Sequence, residues 1–155
     1  MTTDLELCLK HLQALVSFNT SNPPKKIQSS GLLDYLNSLS YLNPRVTDLG
    51  DGSFNILLIK GDPEYIFNVH LDTVPPGEGW NTDPHILSIT DEKAIGLGAC
   101  DIKGAAACLL TLIELGLDDY AVFISTDEEA GQSTCNKEFI KTNPNFKGVI
   151  VSEPT

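Results

Sequence analysis

The chain has 155 residues, 41% of them hydrophobic, enough to bury about 70% of the surface that its unfolded form would expose, and a single domain is the default. Its 21 acidic against 10 basic residues leave a net charge of -11, which repels nucleic-acid phosphates and anionic lipid headgroups and argues against both as partners. The same surplus of carboxylates is the hard ligand set that divalent cations seek.

The N-terminal MTTDLELCLKHL is polar, unlike a secretory leader, and no apolar run approaches the ~20 residues of a membrane span. Cys8, Cys100, Cys108 and Cys135 form no CxxC pair, so they read as reduced thiols of a cytoplasmic protein. Leu5, Cys8, Leu12 and Leu15 recur at helical spacing, and Thr3 with Glu6 matches a capping box. That helix is stopped by Ser21-Asn22-Pro23-Pro24. His11, on its flank, is expected to face solvent. Leu32, Leu33, Leu36 and Leu39 predict a second helix ending near Asn43-Pro44.

From Asn55 the pattern changes. NILLIK (55–60) and YIFNVHL (65–71), separated by GDPE, are apolar runs of strand length and are expected to be neighbours. Residues 85–98 read as a loop carrying a hairpin turned at Asp91-Glu92-Lys93. Residues from Lys103 form an apolar helix closed by Gly116. AVFIST (121–126) is a buried strand, STCNKEFIKT a short helix and GVIVS (148–152) another buried strand. This alternation predicts an α/β fold, a largely parallel mixed sheet sandwiched by helices. The sequence ends three residues after GVIVS, where a central parallel strand would need a covering helix, so the chain is expected to be the N-terminal portion of something longer.

In open parallel sheets, ligands gather beyond the carboxyl ends of the strands. YIFNV runs into His70 and Asp72, AVFIST into Asp127, Glu128 and Glu129, and GVIVS into Glu153, while Asp101 lies where GLGACDIKG turns into a helix. Each has a plain structural alternative. His70 could be a packed strand-end residue, Glu128-Glu129 a solvated helix start, Asp101 a helix cap and Glu153 a turn residue. Their meeting at one edge is what those alternatives explain poorly. Imidazole and carboxylates are zinc ligands, and carboxylates shared between two cations make a co-catalytic pair. Asp72, two residues after His70, points to the same face of an extended chain and can take the ring's other N–H.

NVHLDTVP, GLGACDIKG, STDEEAG and VSEPT, in this order, resemble the two-zinc metallopeptidase and deacylase family that includes acetylornithine deacetylase, succinyl-diaminopimelate desuccinylase, aminoacylases and glutamate carboxypeptidases. SFNTSNPP and WNTDPH look most like the acetylornithine and acetylcitrulline deacetylases. The resemblance implies a zinc aminopeptidase-like catalytic domain in which His70 and Glu153 bind one zinc, Asp101 bridges both and Glu129 binds the other. Cobalt is an implied substitute. It further implies that Asp72 positions His70 and that Glu128 is the general base, taking a proton from the attacking water and passing it to the departing amine.

What it implies for the whole protein is a cytoplasmic, homodimeric deacetylase of arginine biosynthesis acting on a small N-acyl amino acid, acetylornithine first. Acetylcitrulline, a succinylated diamino acid, and a non-catalytic binding module are the alternatives. This sequence departs from the family pattern in lacking the far C-terminal histidine of the second metal site and the inserted dimerisation domain. The 155 residues alone are therefore expected to be inactive or nearly so. Cys100 is expected to be a buried spectator thiol, and His85 a packing residue.

Overall fold

The computed structural model describes residues 3–143 and 145–154; Thr155, the last residue of the VSEPT motif, lies outside them. The first helix, α1 (Asp4–Ser17), carries the expected capping box: the Thr3 hydroxyl accepts the Glu6 N–H at 3.2 Å, and the Glu6 carboxylate accepts the Thr3 N–H at 2.7 Å. Two orphan N–H groups of the first turn are thereby satisfied. After a 3-10 turn (Ile27–Ser29), α2 (Leu32–Ser38) ends five residues short of the expected Asn43, because Leu39 turns to an extended conformation.

Among the described residues seven strands form, in part from the pattern and in part against it. They are β1 (Arg45–Asp48), β2 (Phe54–Lys60), β3 (Tyr65–His70), β4 (Ser88–Ile89), β5 (Ala94–Ile95), β6 (Tyr120–Ser125) and β7 (Gly148–Val151), with α3 (Gly104–Glu114) before β6 and α4 (Thr134–Thr142) before β7. The main sheet has the order β1-β2-β6-β3-β7, and β4 and β5 form the small hairpin. β1/β2 and β2/β6 are antiparallel, whereas β6/β3 and β3/β7 are parallel. The sheet is thus mixed, with its parallel half on the side where the acidic loops emerge.

β2 and β3 are not neighbours, contrary to the sequence expectation: β6 lies between them. Every residue of β6 is buried. A strand with no polar face belongs where both faces and both edges are covered, and the middle of the sheet is that place. On one face Val122 and Ile124 join Ile56, Leu58 and Val69 under α1, α2 and α3, represented by Leu15, Val16, Leu36, Ala107 and Leu110. On the other, Ala121 and Phe123 meet Cys135 and Phe139 of α4, and the two phenyl rings stack with centroids 4.0 Å apart. The period of two along β6 is therefore spent on two cores rather than on core and solvent.

β7 forms the far edge, with Val149 and Val151 more than half exposed. His11 is wholly buried, which corrects the expectation of a solvated flank. Its Nδ1 lies 2.7 Å from the Tyr35 hydroxyl and its Nε2 2.9 Å from the Glu114 carboxylate, which also accepts the Tyr41 hydroxyl at 2.8 Å. Burial lowers the His11 pKa, against the pull of Glu114. Among the described residues no helix is long and apolar enough to cross a membrane.

Candidate metal centre

The site is built at the carboxyl ends of β3, β6 and β7 together with the turn that opens α3. β3 finishes on His70, which is 2% exposed. Its Nδ1 is 3.0 Å from the main-chain carbonyl of Asp72 and 3.5 Å from the Asp72 carboxylate. A carbonyl can only accept, so Nδ1 carries the proton and Nε2 is left facing outward. The carbonyl, not the carboxylate expected from the sequence, is the closer partner that orients the ring.

Around that Nε2 stand Asp101 Oδ1 at 3.0 Å, Glu153 Oε1 at 3.5 Å and Glu128 Oε2 at 3.9 Å. Ligand atoms of His70, Asp101 and Glu153 lie within 4.8 Å of one another, and so do those of His70, Glu128 and Glu129. His70 is common to both groups. The five residues come from four elements separated by up to 83 positions in sequence; Glu128, Glu129 and Glu153 sit in the segments that follow β6 and β7, and Asp101 in the turn that opens α3. Asp101 reaches the edge because Gly98 turns left-handed at φ +74° and the Ala99–Lys103 turn is kinked at Asp101 and Ile102.

Electrostatics reflect this crowding. Burial works against a charge on His70, but the Asp72 carboxylate and carbonyl, and Glu153 beyond them, outweigh it and hold the imidazole up to about 9. Burial raises the pKa of Glu129 and Glu153, and Asp101 and Glu128 add to that rise while His70 opposes it. Carboxyl groups held above their ordinary range by burial, and further by one another, are stabilised in their ionised form when a cation arrives. An imidazole nitrogen and four carboxylates at this spacing fit zinc, whose common ligands are histidine nitrogen and carboxylate oxygen.

Asp72 has a second task that its sequence position does not reveal. It is wholly buried, and its carboxylate accepts the main-chain N–H of Glu128 at 3.2 Å, that of Glu129 at 3.0 Å and the side-chain amide of Asn22 at 3.0 Å. Asp127, equally buried, accepts the N–H of Cys135 at 3.0 Å and so caps α4 from the loop that precedes it. Asn22 and Lys103 are the residues that sequence reasoning passed over. Lys103 is 1% exposed, its Nζ donates to the Phe18 carbonyl at 3.1 Å, and burial brings its pKa down to about 8. Lysine in an apolar helix start was the available signal for one, and Asn directly before two prolines for the other.

Beside the cluster is an open cavity of about 280 Å³, lined among others by Val74, Trp80, Leu97, Cys100, Asp101 and Glu129. Cys100 is exposed there, not buried as expected, because the kinked turn lifts it out of the core. All four cysteines are free thiols. His85 is half-buried in the loop before β4, with its main-chain N–H on Asp83.

Comparison with known proteins agrees with this architecture. The chain is 45% identical over 157 aligned residues to an N-acetyl-L-citrulline deacetylase of Xanthomonas campestris pv. campestris, covering 100% of this chain and 43% of that protein. It is 28% identical to a succinyl-diaminopimelate desuccinylase of Wolinella succinogenes, over 93% of this chain and 41% of the relative. The chain thus spans about two fifths of the length of these relatives. In fold it is similar to human carnosine dipeptidase 1, with a TM-score of 0.75 at 21% identity over 95% of this chain and 38% of that one. A metallo-carboxypeptidase of Sulfolobus solfataricus superposes with a TM-score of 0.68 at 18% identity, over 93% of this chain and 36% of that one. Residues 66–155, which carry every member of the cluster from His70 to Glu153, match peptidase family M20/M25/M40, and the chain belongs to that family.

Proposed function

We propose that the protein is a metal-dependent amidohydrolase that removes the N-acetyl group from an N-acetylated amino acid of the citrulline or ornithine type. The observation that carries this reading is the delivery of His70, Asp101, Glu128, Glu129 and Glu153 by separate elements to one sheet edge. In this reading His70 and Glu153 would hold one zinc ion and Glu129 the other, with Asp101 available to both, and cobalt would be a workable substitute. When bound, the metal pair would polarise the acyl carbonyl and make the attacking water more acidic. Asp72 keeps the His70 ring turned and the two glutamates in place.

Glu128 is the general base. It takes the proton from the attacking water and returns it to the amine nitrogen as the C–N bond breaks, so that one amide and one water become acetate and a free amino group. The relative at 45% identity favours N-acetyl-L-citrulline over the N-acetyl-L-ornithine first expected, and the desuccinylase keeps a succinylated diamino acid in the comparison set. The chain contributes the N-terminal part of the catalytic domain. A further histidine ligand and the dimerisation domain come from other parts of a full-length cytoplasmic homodimer of arginine biosynthesis.

The test uses the full-length polypeptide loaded with zinc and given N-acetyl-L-citrulline, N-acetyl-L-ornithine and N-succinyl-diaminopimelate in turn. Two metal ions per chain and release of acetate from one of the first two are expected, with the 155 residues alone turning over nothing measurable. Tight binding of these compounds without release of amine would instead make the protein a binding module.

A further inference from the structure

The Asp72 carboxylate has no exposure at all, and three N–H groups compensate it: those of Glu128 and Glu129 from the loop after β6, and the Nδ2 of Asn22. Asn22 is itself 1% exposed. Its Nδ2 shares Asp72 Oδ2 with the Glu129 N–H and also lies 3.5 Å from the Thr126 carbonyl at the end of β6. The segment that presents Asn22 is held on both sides. Its main-chain N–H donates to the Thr73 carbonyl at 2.8 Å, the Thr73 N–H donates back to Thr20 at 3.2 Å, and Lys103 grips the Phe18 carbonyl. One carboxamide is therefore fixed relative to both β3 and β6 by bonds that do not involve the metal cluster.

We infer that Asn22 is a positioning residue of the site: it sets the rotation of the Asp72 carboxylate, and through it the placement of Glu128 and Glu129 relative to His70. This rests on the proposed reading of Glu128 as base and Glu129 as ligand. The physical reason is that the terminal torsion of an aspartate is broad. The His70 Nδ1 stands 3.5 Å from Asp72 Oδ1, a competing donor toward which the carboxylate can swing. A fixed donor at Oδ2 holds the plane in which both glutamate N–H groups are met at once. A carboxamide supplies that donor without charge, so the negative charge of Asp72 stays available to the site.

The experiment compares the full-length wild type with Asn22→Ala, Asn22→Ser and Asn22→Asp. Zinc affinity is measured by competition with a chromophoric chelator, together with kcat, KM and thermal melting of the metal-free protein. For Asn22→Ala, zinc affinity and kcat are each expected to fall about tenfold, as for other residues behind a metal ligand, with KM changing little. Asn22→Ser, which keeps a donor, should fall between wild type and Asn22→Ala, and it carries the test if the alanine variant does not fold. Asn22→Asp, which sets carboxylate against carboxylate, should be the worst. Variants that melt lower without zinc but bind it and turn over like wild type would make Asn22 merely structural and overturn the inference, as would an aspartate variant equal to wild type. Absence of zinc binding or turnover in the wild type would sink the proposed function itself, and this inference with it, before any substitution is read.

Discussion

The main-chain carbonyl of Asp72 accepts a hydrogen bond from the Nδ1–H of His70 at 3.0 Å, while the Asp72 carboxylate accepts the N–H groups of Glu128 and Glu129. Orientation of the His70 imidazole and placement of the acid pair thus run through different atoms of one residue. Asp72→Asn keeps the carbonyl but offers a single acceptor oxygen to three donors. Turnover and zinc affinity are both expected to fall ~10- to 100-fold, because Glu128 and Glu129 lose their fixed acceptor, with the His70 ring still held. Asp72→Ala leaves two N–H groups and an amide without an acceptor and should cost about 2 kcal/mol or more in urea unfolding. Loss of the His70 Nδ1–H hydrogen bond in the asparagine variant, read from the imidazole NMR signals, would show that the carboxylate, not the carbonyl, fixes His70.

Glu128 stands furthest of the three carboxylates that face His70 Nε2, at 3.9 Å against 3.0 Å for Asp101 and 3.5 Å for Glu153. That suits a group that moves protons rather than one that grips a cation. Glu128→Ala in the full-length protein is expected to retain two metal ions while kcat falls by ~10²- to 10⁴-fold, the usual worth of a positioned acid–base group. Metal analysis beside steady-state kinetics decides it: a variant short of one metal would make Glu128 a ligand.

The pH dependence of metal binding follows from His70, whose pKa of about 9 in the metal-free chain leaves it protonated at neutral pH. A ligating imidazole must be neutral, so each zinc bound through His70 expels a proton. Zinc affinity should rise about tenfold per pH unit from neutrality to about 9 and level off above. Calorimetry in buffers of different ionisation heat would report the released proton.

The same shift bears on stability without metal. The folded value lies above the unfolded 6.5, so His70 contributes its stabilisation in full below pH 6.5 and loses it as pH rises through about 9. The amount is on the order of 3 kcal/mol. Glu129 and Glu153, whose pKa values are also raised, act in the same direction at lower pH. Metal-free protein that grew more stable between pH 7 and 9 would contradict this account.

The site was legible because its residues sit where short-range patterns end. His70, Glu128, Glu129 and Glu153 each follow an apolar run, and strand ends can be read from a run of six residues. Strand order could not be read that way. The four-residue link from Lys60 to Tyr65 looks like a hairpin turn, and only the fully buried β6, more than fifty residues later, decides that β2 and β3 stand apart. β1 was missed because all four of its residues are exposed, so no alternation marks it. His11 was misjudged although it stands four residues from Leu15 on the apolar stripe; its partners Tyr35 and Glu114 lie on other helices. Asn22 reads as punctuation before two prolines, since its bond to Asp72 spans fifty positions.

Gly98 offers a test of how tightly the Asp101 turn is held. It adopts φ +74°, and a Cβ there would lie 2.6 Å from the Thr73 methyl and 3.3 Å from the Asp101 carbonyl. Gly98→Ala therefore adds left-handed strain of roughly 1–2 kcal/mol to overpacking of roughly 1–3 kcal/mol. Gly116, at φ +102° with nothing within 4 Å of its would-be Cβ, isolates the first cost. Gly116→Ala should lose only the strain and bind zinc as wild type does, whereas Gly98→Ala should lose more stability and zinc affinity together, because Thr73 and Asp101 have to part to admit the methyl group. Equal losses in the two variants, by urea unfolding and chelator competition, would show that the loop beside Asp101 yields freely and that its packing does not set the ligand.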